Sequence, residues 1–331
     1  MKILLSNGVK KEDITNFVPA ISISGDYMQA ARTSNFSVLN SPFDINLPSI
    51  DIQLGYVVQI YEDEEEIFYG YVFERNKSTD GNAIDIMCYD SGVRITKNKY
   101  SYKFSDISPE DITKKLCSDI NISVGNLAKT GITIKRNFLG LSFYDIIIGS
   151  YYQASIKNGK KYIIRFNNNK LNVIEKGDIS TAQILQNGNN LLTSNVSESI
   201  SNMVNSVAVF NENNNLVTTI KNEENIKLYG LMQEYYKVNK DDDYNAKAKS
   251  MLKDIERKIQ VTNFGNIRCI TGNTVVVREP YTGLYGVFYI DSDTHSWKNG
   301  IYTNSLVLNF QNLMDEKEAG EIPSADVSSE K

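Results

Sequence analysis

The amino-acid sequence predicts a mainly β protein that carries α+β insertions. Three observations support this fold class: runs of β-branched and aromatic residues recur towards both ends of the chain, polar turn residues separate these runs, and segments with helix-capping signals lie between them. The chain has 331 residues, of which 41% are hydrophobic, so it is long and apolar enough to bury a core. At roughly 150 residues per domain, this length suggests about two domains.

The first ninety residues are rich in short β runs. Residues 56–61 (YVVQIY) and 67–73 (IFYGYVF) flank five consecutive carboxylates at 62–66, which predicts a β-hairpin with an acidic, solvated tip. A calcium site is the alternative, but these carboxylates have neither the spacing nor the turn glycine of a calcium loop. Residues 83–89 (AIDIMCY) predict another strand, and the polar stretch 78–82 before it predicts a turn.

A helix is predicted to begin at Ser108. Ser108 is a favourable N-cap, Pro109 suits the first turn, and the two acidic residues that follow face the positive end of the helix dipole. The apolar residues Ile112, Leu116 and Ile120 recur at intervals of four and form one stripe.

A second helix is predicted from Ser142 to about Lys157, with Gly159 as its C-terminal stop. Residues 161–166 and 170–175 then flank three asparagines, which predicts a β-hairpin. Residues 96–185 are therefore predicted to form a small α+β unit between two β regions.

The C-terminal half returns to β patterning. Residues 206–210 and 216–220 flank an asparagine-rich turn and predict a hairpin. Behind an acidic run at 241–243, four apolar residues spaced by four, three and four predict a helix; they are Ala248, Leu252, Ile255 and Ile259. Three further strands are predicted at 273–278, 284–290 and 302–310, and the charged segment from residue 315 onward is predicted to be a disordered tail.

Composition excludes several classes of function. A net charge of −5 and a sequence pI of about 5.2 disfavour sequence-independent binding of nucleic acid. Three distant cysteines without a C-x-x-C motif, Cys88, Cys117 and Cys269, predict buried reduced thiols rather than a zinc or thioredoxin-type site. The apolar stretch at the N-terminus is too short for a signal peptide, and no apolar run is long enough to span a bilayer, so we expect a soluble protein without membrane insertion.

The strongest local candidate for chemistry is the segment 291–295 (DSDTH). On an extended strand, Asp291, Asp293 and His295 point to one face, where two carboxylates and an imidazole could bind a metal or exchange protons. The simpler interpretation is that His295 is a hydrogen-bonded turn residue, because a turn-forming stretch follows at 297–300. A glycosidase-type pair of carboxylates is a further alternative, because the sequence does not give the distance between carboxylates. Gly283 and Gly286 precede a strand, which is the wrong context for a dinucleotide fingerprint.

Many short stretches of the chain together resemble the XkdQ/YqbQ-like tail hub proteins of contractile phages and of related defective-phage and bacteriocin particles. The similarity covers nearly the whole chain up to about residue 317 and fits best in the closing stretches. The stretches that carry it are 23–26, 29–32, 77–82, 96–99, 124–127, 170–177, 197–200, 226–230, 279–283 and 289–300.

This resemblance implies a baseplate hub related to the hub part of VgrG-type spikes. It implies two related β-barrel tube domains, the first at 1–95 and the second at 186–216 with 260–313. An α+β insert (96–185), a helical insertion (217–259) and a disordered tail (314–331) would complete the chain. It places His295 in the last barrel strands, and it assigns no catalytic, cofactor-binding or metal-binding residue and no cofactor.

The resemblance also implies a homotrimeric ring that adapts the sixfold tail tube to the threefold central spike. The expected partners are the tail tube protein, the central spike protein, baseplate wedge or LysM-like connecting proteins and the tape-measure protein, and DNA would pass through the lumen without specific binding. The expected location is the tail baseplate of a virion or tailocin particle, with assembly in the host cytoplasm. Two alternatives of other classes are a carboxylate-based cell-wall hydrolase of the tail tip and a carbohydrate-binding tail module that uses exposed tyrosines.

Overall fold

The N-terminal region consists mainly of strands, as predicted, with one short 3-10 helix at Thr15–Phe17. The computed structural model describes residues 1–40, 50–78, 81–238, 244–317 and 320–321. The strands of this first β region are β1 (Lys2–Ser6), β2 (Lys11–Asp13), β3 (Ala20–Asp26), β4 (Thr33–Leu39), β5 (Val57–Glu62), β6 (Glu65–Lys77) and β7 (Ala83–Asp90).

Helices and strands then alternate, and strands dominate again towards the C-terminus. The middle elements are α1 (Gly92–Lys97), β8 (Lys99–Ile107), α2 (Pro109–Asp119), β9 (Val124–Leu127), β10 (Ile134–Ser142), α3 (Phe143–Asn158), β11 (Tyr162–Asn167) and β12 (Lys170–Glu175). The remaining elements are β13 (Ser180–Gln186), β14 (Leu191–Ser199), β15 (Ser206–Phe210), β16 (Leu216–Lys221), α4 (Glu223–Tyr229), β17 (Gln233–Lys237), α5 (Tyr244–Met251), β18 (Glu256–Phe264), β19 (Thr274–Glu279), β20 (Leu284–Lys298) and β21 (Ile301–Asn309).

Thirteen strands form one hydrogen-bonded sheet, which confirms the mainly β class. Its main path runs β14-β18-β21-β20-β3-β4-β7-β6-β5-β1-β2, and β13 joins it through β19, which pairs with β20. Within the described part of the chain no ladder closes into a barrel. The two separate barrels expected from the resemblance are not seen there. Residues 292–298 of β20 pair with residues 20–26 of β3 instead, and this pairing links both β regions into one open sheet.

The predicted hairpin in the first β region is confirmed. β5 and β6 pair antiparallel. The connecting turn is shorter than predicted, because three of the five carboxylates lie within the strands and only Asp63 and Glu64, with positive φ angles of 45° and 69°, form the turn. Such two-residue turns with positive φ match the right-handed twist of the flanking strands. The turn predicted at 78–82 lies partly outside the described residues.

The capping signals of the α+β segment are also confirmed. The Ser108 hydroxyl accepts a hydrogen bond from the Asp111 N–H at the start of α2, and the Ser142 hydroxyl accepts one from the Asp145 N–H at the start of α3. Helix α3 ends at Gly159, whose φ of 75° is left-handed. The hairpin β11–β12 forms around residues 167–169 as predicted, and its side chains share a hydrophobic core with α2 and α3.

The chain divides into two compact units, residues 1–194 with 260–331 and Asn195–Ile259. The second unit contains the three-stranded sheet β16-β15-β17, with the predicted hairpin β15–β16, and α5 packs on it through Ala248. The predicted helix over 248–259 is wrong beyond Met251, because β18 begins at Glu256 and buries Ile259 and Val261 with the period of a strand. The acidic run 241–243 lies outside the described residues.

The described end of the chain is packed rather than free. Met314 and Asp315 are each 4% exposed, and the hydroxyl of Tyr144 donates a hydrogen bond of 2.8 Å to Asp315. The prediction of a disordered tail is therefore wrong at its first residues, and residues 318–319 and 322–331 lie outside the described part. A helix long and apolar enough to cross a membrane is not found among the described residues.

Gly92→Ala should destabilise the protein, although alanine is the better helix former. Gly92 is the first residue of α1, and a Cβ added there would collide with the backbone carbonyl of Ala30. Overpacking of this kind costs about 1–3 kcal/mol. We expect the free energy of unfolding, from urea titration followed by circular dichroism, to fall by about this amount.

Gly81→Ala is the matched control, because a Cβ at Gly81 meets no atom within 4 Å. Its effect should stay within about 0.5 kcal/mol. Equal effects of the two substitutions would contradict the close approach of α1 to Ala30.

Candidate functional site

The best candidate residues from the sequence lie in the middle of strand β20. A β-bulge between Ile290 and Ser292 interrupts the pairing with β21, so Ile290 and Asp291 are both buried. Beyond the bulge burial alternates, and Asp291, Asp293 and His295 face the interior together. The prediction that these three side chains share one face is confirmed.

His295 is a strand residue and not a turn residue. Strand β20 continues to Lys298, and the turn falls at Asn299 and Gly300, which have positive φ angles of 54° and 75°. The simpler interpretation from sequence is therefore wrong about the position of His295, because the strand extends farther than its apolar run.

Asp293 is fully buried and holds Arg32 in a two-pronged ion pair. Arg32 Nη1 donates to Oδ1 at 2.8 Å, and Nη2 donates to Oδ2 at 2.5 Å. Thr271 also donates to Oδ1, from its backbone N–H at 2.7 Å and from its hydroxyl at 2.6 Å. The carboxylate thereby joins the end of the β3–β4 loop, the segment before β19, and β20.

The hydrogen-bond network assigns the tautomer of His295. The Oδ1 of Asn304 accepts from the backbone N–H of Asn266 at 2.6 Å, so the Nδ2 of Asn304 is the atom that donates to His295 Nδ1, at 2.9 Å. The proton of a neutral imidazole then lies on Nε2, which is 3.2 Å from Asp293 Oδ2. The ring also stacks on Trp297 and Tyr302, which fixes its plane.

The electrostatics of Asp293 oppose a role in acid–base catalysis. Burial alone would raise its pKa, but the charge of Arg32, the two hydrogen bonds from Arg32 and the nearby His295 outweigh burial and hold the pKa well below its usual range. The carboxylate therefore stays ionised near neutral pH and cannot serve as a general acid. Both of its oxygens are already engaged by protein donors, so it cannot approach a substrate.

Asp291 forms a second buried ion pair, with Lys176. The Lys176 Nζ lies 2.5 Å from Asp291 Oδ1, donates to the carbonyl of Leu313 at 2.8 Å, and stands 4.4 Å from the ring centre of Tyr27. Asn309 donates to the other carboxylate oxygen at 3.2 Å. Burial lowers the pKa of Lys176, and the charge of Asp291 opposes this shift. Removing either partner would leave a buried charge without compensation.

Asp90 adds a third buried carboxylate near Arg32. Its oxygens accept from the backbone N–H of Arg32 at 3.1 Å and of Gly92 at 2.8 Å. Burial raises the pKa of Asp90 to about 7, against the opposing effects of these two donors and of the Arg32 charge. Asp90 thus ties the β3–β4 loop to the start of α1.

Two other predictions from the sequence can be placed in the structure. Cys88, Cys117 and Cys269 are free and buried, as predicted, and burial raises the pKa of each thiol. Among the described residues no group of three or more histidine, cysteine, aspartate and glutamate side chains could hold a metal ion. Sequence reasoning missed the basic partners Arg32 and Lys176, because no local pattern indicates where they pair.

Solved structures show in which proteins this fold occurs. The structure is similar to the 43 kDa tail protein of prophage MuSo2 from Shewanella oneidensis, with a TM-score of 0.70 and 13% identity over 98% of this chain and 100% of that chain. It is also similar to the E. coli c3393 protein, a type VI secretion system component described as similar to the T4 phage tail proteins gp27 and gp5, with a TM-score of 0.54 and 10% identity over 98% of this chain and 80% of that one. The chain therefore has a fold that occurs in phage tail proteins.

Sequence comparison then gives the family. The profile of the YQBQ-like family matches residues 21–309, and the chain belongs to this family. A relative is the phage-like element PBSX protein XkdQ of Bacillus subtilis (strain 168), which is 25% identical over 310 residues, covering 90% of this chain and 94% of the relative. The resemblance drawn from the sequence is thus confirmed.

Asp293→Asn should destabilise the protein at pH 7 by about 3–5 kcal/mol, because Arg32 would remain buried without its counter-charge. The pKa of Asp293 is lowered in the folded state, so its contribution is present above the unfolded pKa of about 3.9 and declines as the pH falls below it. The difference between wild type and variant should therefore narrow by about 1.4 kcal/mol per pH unit below pH 4. Urea unfolding at pH 7 and pH 3 measures both effects.

Asp85→Asn is the control for this prediction. Asp85 is exposed and accepts one hydrogen bond from Ser37. Its substitution should change stability by no more than about 0.5 kcal/mol. A difference for Asp293→Asn that widens towards pH 3 would contradict the ion pair with Arg32.

Proposed function

We propose that the chain is a structural, non-enzymatic hub of a contractile-tail baseplate. Its membership of the YQBQ-like family, its relation to a protein of a phage-like element and its fold all support this proposal. The observation that carries the structural role is the complete burial of Asp293 in its pair with Arg32. Asp291 and Asp293, the carboxylates best suited to chemistry, instead form buried ion pairs between distant segments of the chain.

In the proposed assembly, three copies form a ring that adapts the sixfold tail tube to the threefold spike. Each chain would contribute two related tube domains, at 1–95 and at 186–216 with 260–313, and so provide six similar contacts. Contacts between different patches of identical chains close a ring when the rotation fits. The tail tube protein, the central spike, wedge or LysM-like connecting proteins and the tape-measure protein would surround this ring in the virion or tailocin particle, after assembly in the host cytoplasm.

A row of exposed and half-buried apolar side chains is the contact that we assign to a neighbouring copy. Ile184 of β13 pairs with Val276 of β19, and Val276 pairs with Val287 of β20, so the three side chains lie side by side across three strands. Ile184 is 40% exposed and Val287 is 59% exposed, and Tyr285 adds a ring two residues along the same strand. Contiguous apolar surface of this kind marks protein–protein contacts. A ring of identical chains requires such a surface on every copy.

Val287→Glu should prevent ring formation without unfolding the chain. A charge placed within the apolar row would lose its hydration at the contact, and burying an unpaired charge is unfavourable. Light scattering and negative-stain microscopy of the purified protein, alone and mixed with the tail tube protein, should give three times the chain mass of 37.4 kDa and ring-shaped particles for wild type, and monomers for the variant.

Val9→Glu makes the same chemical change at a residue that is 99% exposed and should leave the rings intact. Rings that survive Val287→Glu would exclude the apolar row as the contact. A wild-type chain that stays monomeric even with the tail tube protein would overturn the ring itself.

The wild-type chain should give no clearing in a peptidoglycan zymogram. Asp291 and Asp293 are both buried and ion-paired, so neither can reach a glycan. Clearing by wild type that disappears in folded Asp291→Asn would establish the hydrolase instead. An active lysozyme on the same gel is the positive control.

A further inference from the structure

A cavity of about 620 Å³ lies in the first compact unit, and Arg32 and His295, the neighbours of Asp293, form part of its wall. Its volume falls in the range of small-molecule sites, about 300–1,000 Å³. Three arginines line it, Arg32, Arg165 and Arg268, together with Asn273 and His295. The proposed hub function does not involve this cavity.

Arg165 differs from the other buried cations in this region. It lies on β11, is only 8% exposed, and no carboxylate among the described residues lies within ion-pair distance of it. Its Nη1 has only two long contacts, 3.3 Å to Asn273 Oδ1 and 3.5 Å to the carbonyl of Thr271. Its Nε is buried and has no hydrogen-bond partner, as is also true of Arg32 Nε, so the missing carboxylate is what sets Arg165 apart. A buried charge is normally paired, so this arrangement needs an explanation.

Two carboxylates near Arg165 are already engaged elsewhere. Asp293 uses both of its oxygens for Arg32, and Glu66 accepts hydrogen bonds from Gln59 at 2.7 Å and from Tyr61 at 3.0 Å. Burial and the adjacent charge of Arg32 lower the pKa of Arg165 to about 10, so its guanidinium remains charged near neutral pH. The cavity wall therefore carries a buried positive charge that no carboxylate of the described chain pairs with.

We propose that this cavity is a carboxylate-binding site, in which Arg165 is the buried anchor and the exposed Arg268 is a second contact. The planar guanidinium matches the two oxygens of a carboxylate, which supports this class of ligand. Four isoleucines of the lining, Ile23, Ile67, Ile267 and Ile270, offer apolar contact to its carbon atoms.

The same lining disfavours a polyanion. Glu64, Glu65 and Glu66 also border the cavity, and their charges repel a nucleic acid or a multiply charged phosphate more strongly than a single carboxylate. The carboxylate could belong to a small free acid or to a glutamate or aspartate side chain of another protein. Both sources present the same group to Arg165.

Thermal unfolding of the full chain in sodium acetate, compared with sodium chloride at equal ionic strength, tests the site. Acetate should raise Tm by several degrees in a saturable manner, because a ligand that binds only the folded state stabilises it. Arg165→Gln should abolish the rise. Arg136→Gln should retain it, because Arg136 lies outside the cavity and donates to Gln153.

Two capped tripeptides distinguish the sources of the carboxylate. Binding of a peptide with a central glutamate, but not of the same peptide with glutamine, would indicate a protein side chain, whereas binding of acetate alone would indicate a small free acid. If Arg165→Gln does not fold, Arg268→Gln serves instead and should weaken the affinity for acetate at least threefold. Equal Tm values in acetate and chloride for wild type, or an acetate effect that both pocket variants retain, would overturn the proposal.

Discussion

The ion pair between Arg32 and Asp293 is the interaction on which the rest of the structure depends. Its two residues are 261 positions apart, so the pair joins the beginning of the chain to its last hairpin. It lies beside the ladder in which β20 pairs with β3, and Trp297 of the same strand packs into the hydrophobic core of the first β region. Desolvating two charges is unfavourable unless geometry and hydrogen bonds compensate, and here the two-pronged contact and the two bonds from Thr271 provide that compensation.

The bulge at Asp291 makes this arrangement possible in a single strand. Side chains alternate between the two faces of a strand, so a shift of one residue moves every side chain to the other face. The first part of β20 buries Phe288 and Ile290, and after the bulge the second part buries Asp291, Asp293 and His295. The same strand therefore directs apolar side chains to the interior before the bulge and mainly polar side chains to the interior after it. The polar half meets Lys176 and Arg32, and both pairs draw on segments distant in sequence.

The separation of contacting residues along the chain explains which features could be predicted from the sequence. The hairpins and the caps at Ser108 and Ser142 depend on neighbours within a few residues, and they were predicted correctly. Alternation along β20 also placed Asp291, Asp293 and His295 on one face. The partners Arg32 and Lys176 could not be predicted, because their pairing depends on strand order, and the apolar spacing of 248–259 matched a helix although tertiary pairing makes the end of that segment a strand.

The contrast between Arg32 and Arg165 separates the structural part of this region from the part that could bind a ligand. Both arginines are buried close to Asp293, but the two oxygens of one carboxylate match only one guanidinium fork. Arg32 occupies that carboxylate and fixes β3 against β20. Arg165 makes no equivalent ion pair, and its two long hydrogen bonds and the charge of Asp293 offset its desolvation only in part. A carboxylate that enters the cavity would supply the missing charge, and through Arg165, Asn273 and Thr271 it would contact the same segment that holds Asp293. Binding at this site would therefore stabilise the region where β3 and β20 join the two β regions.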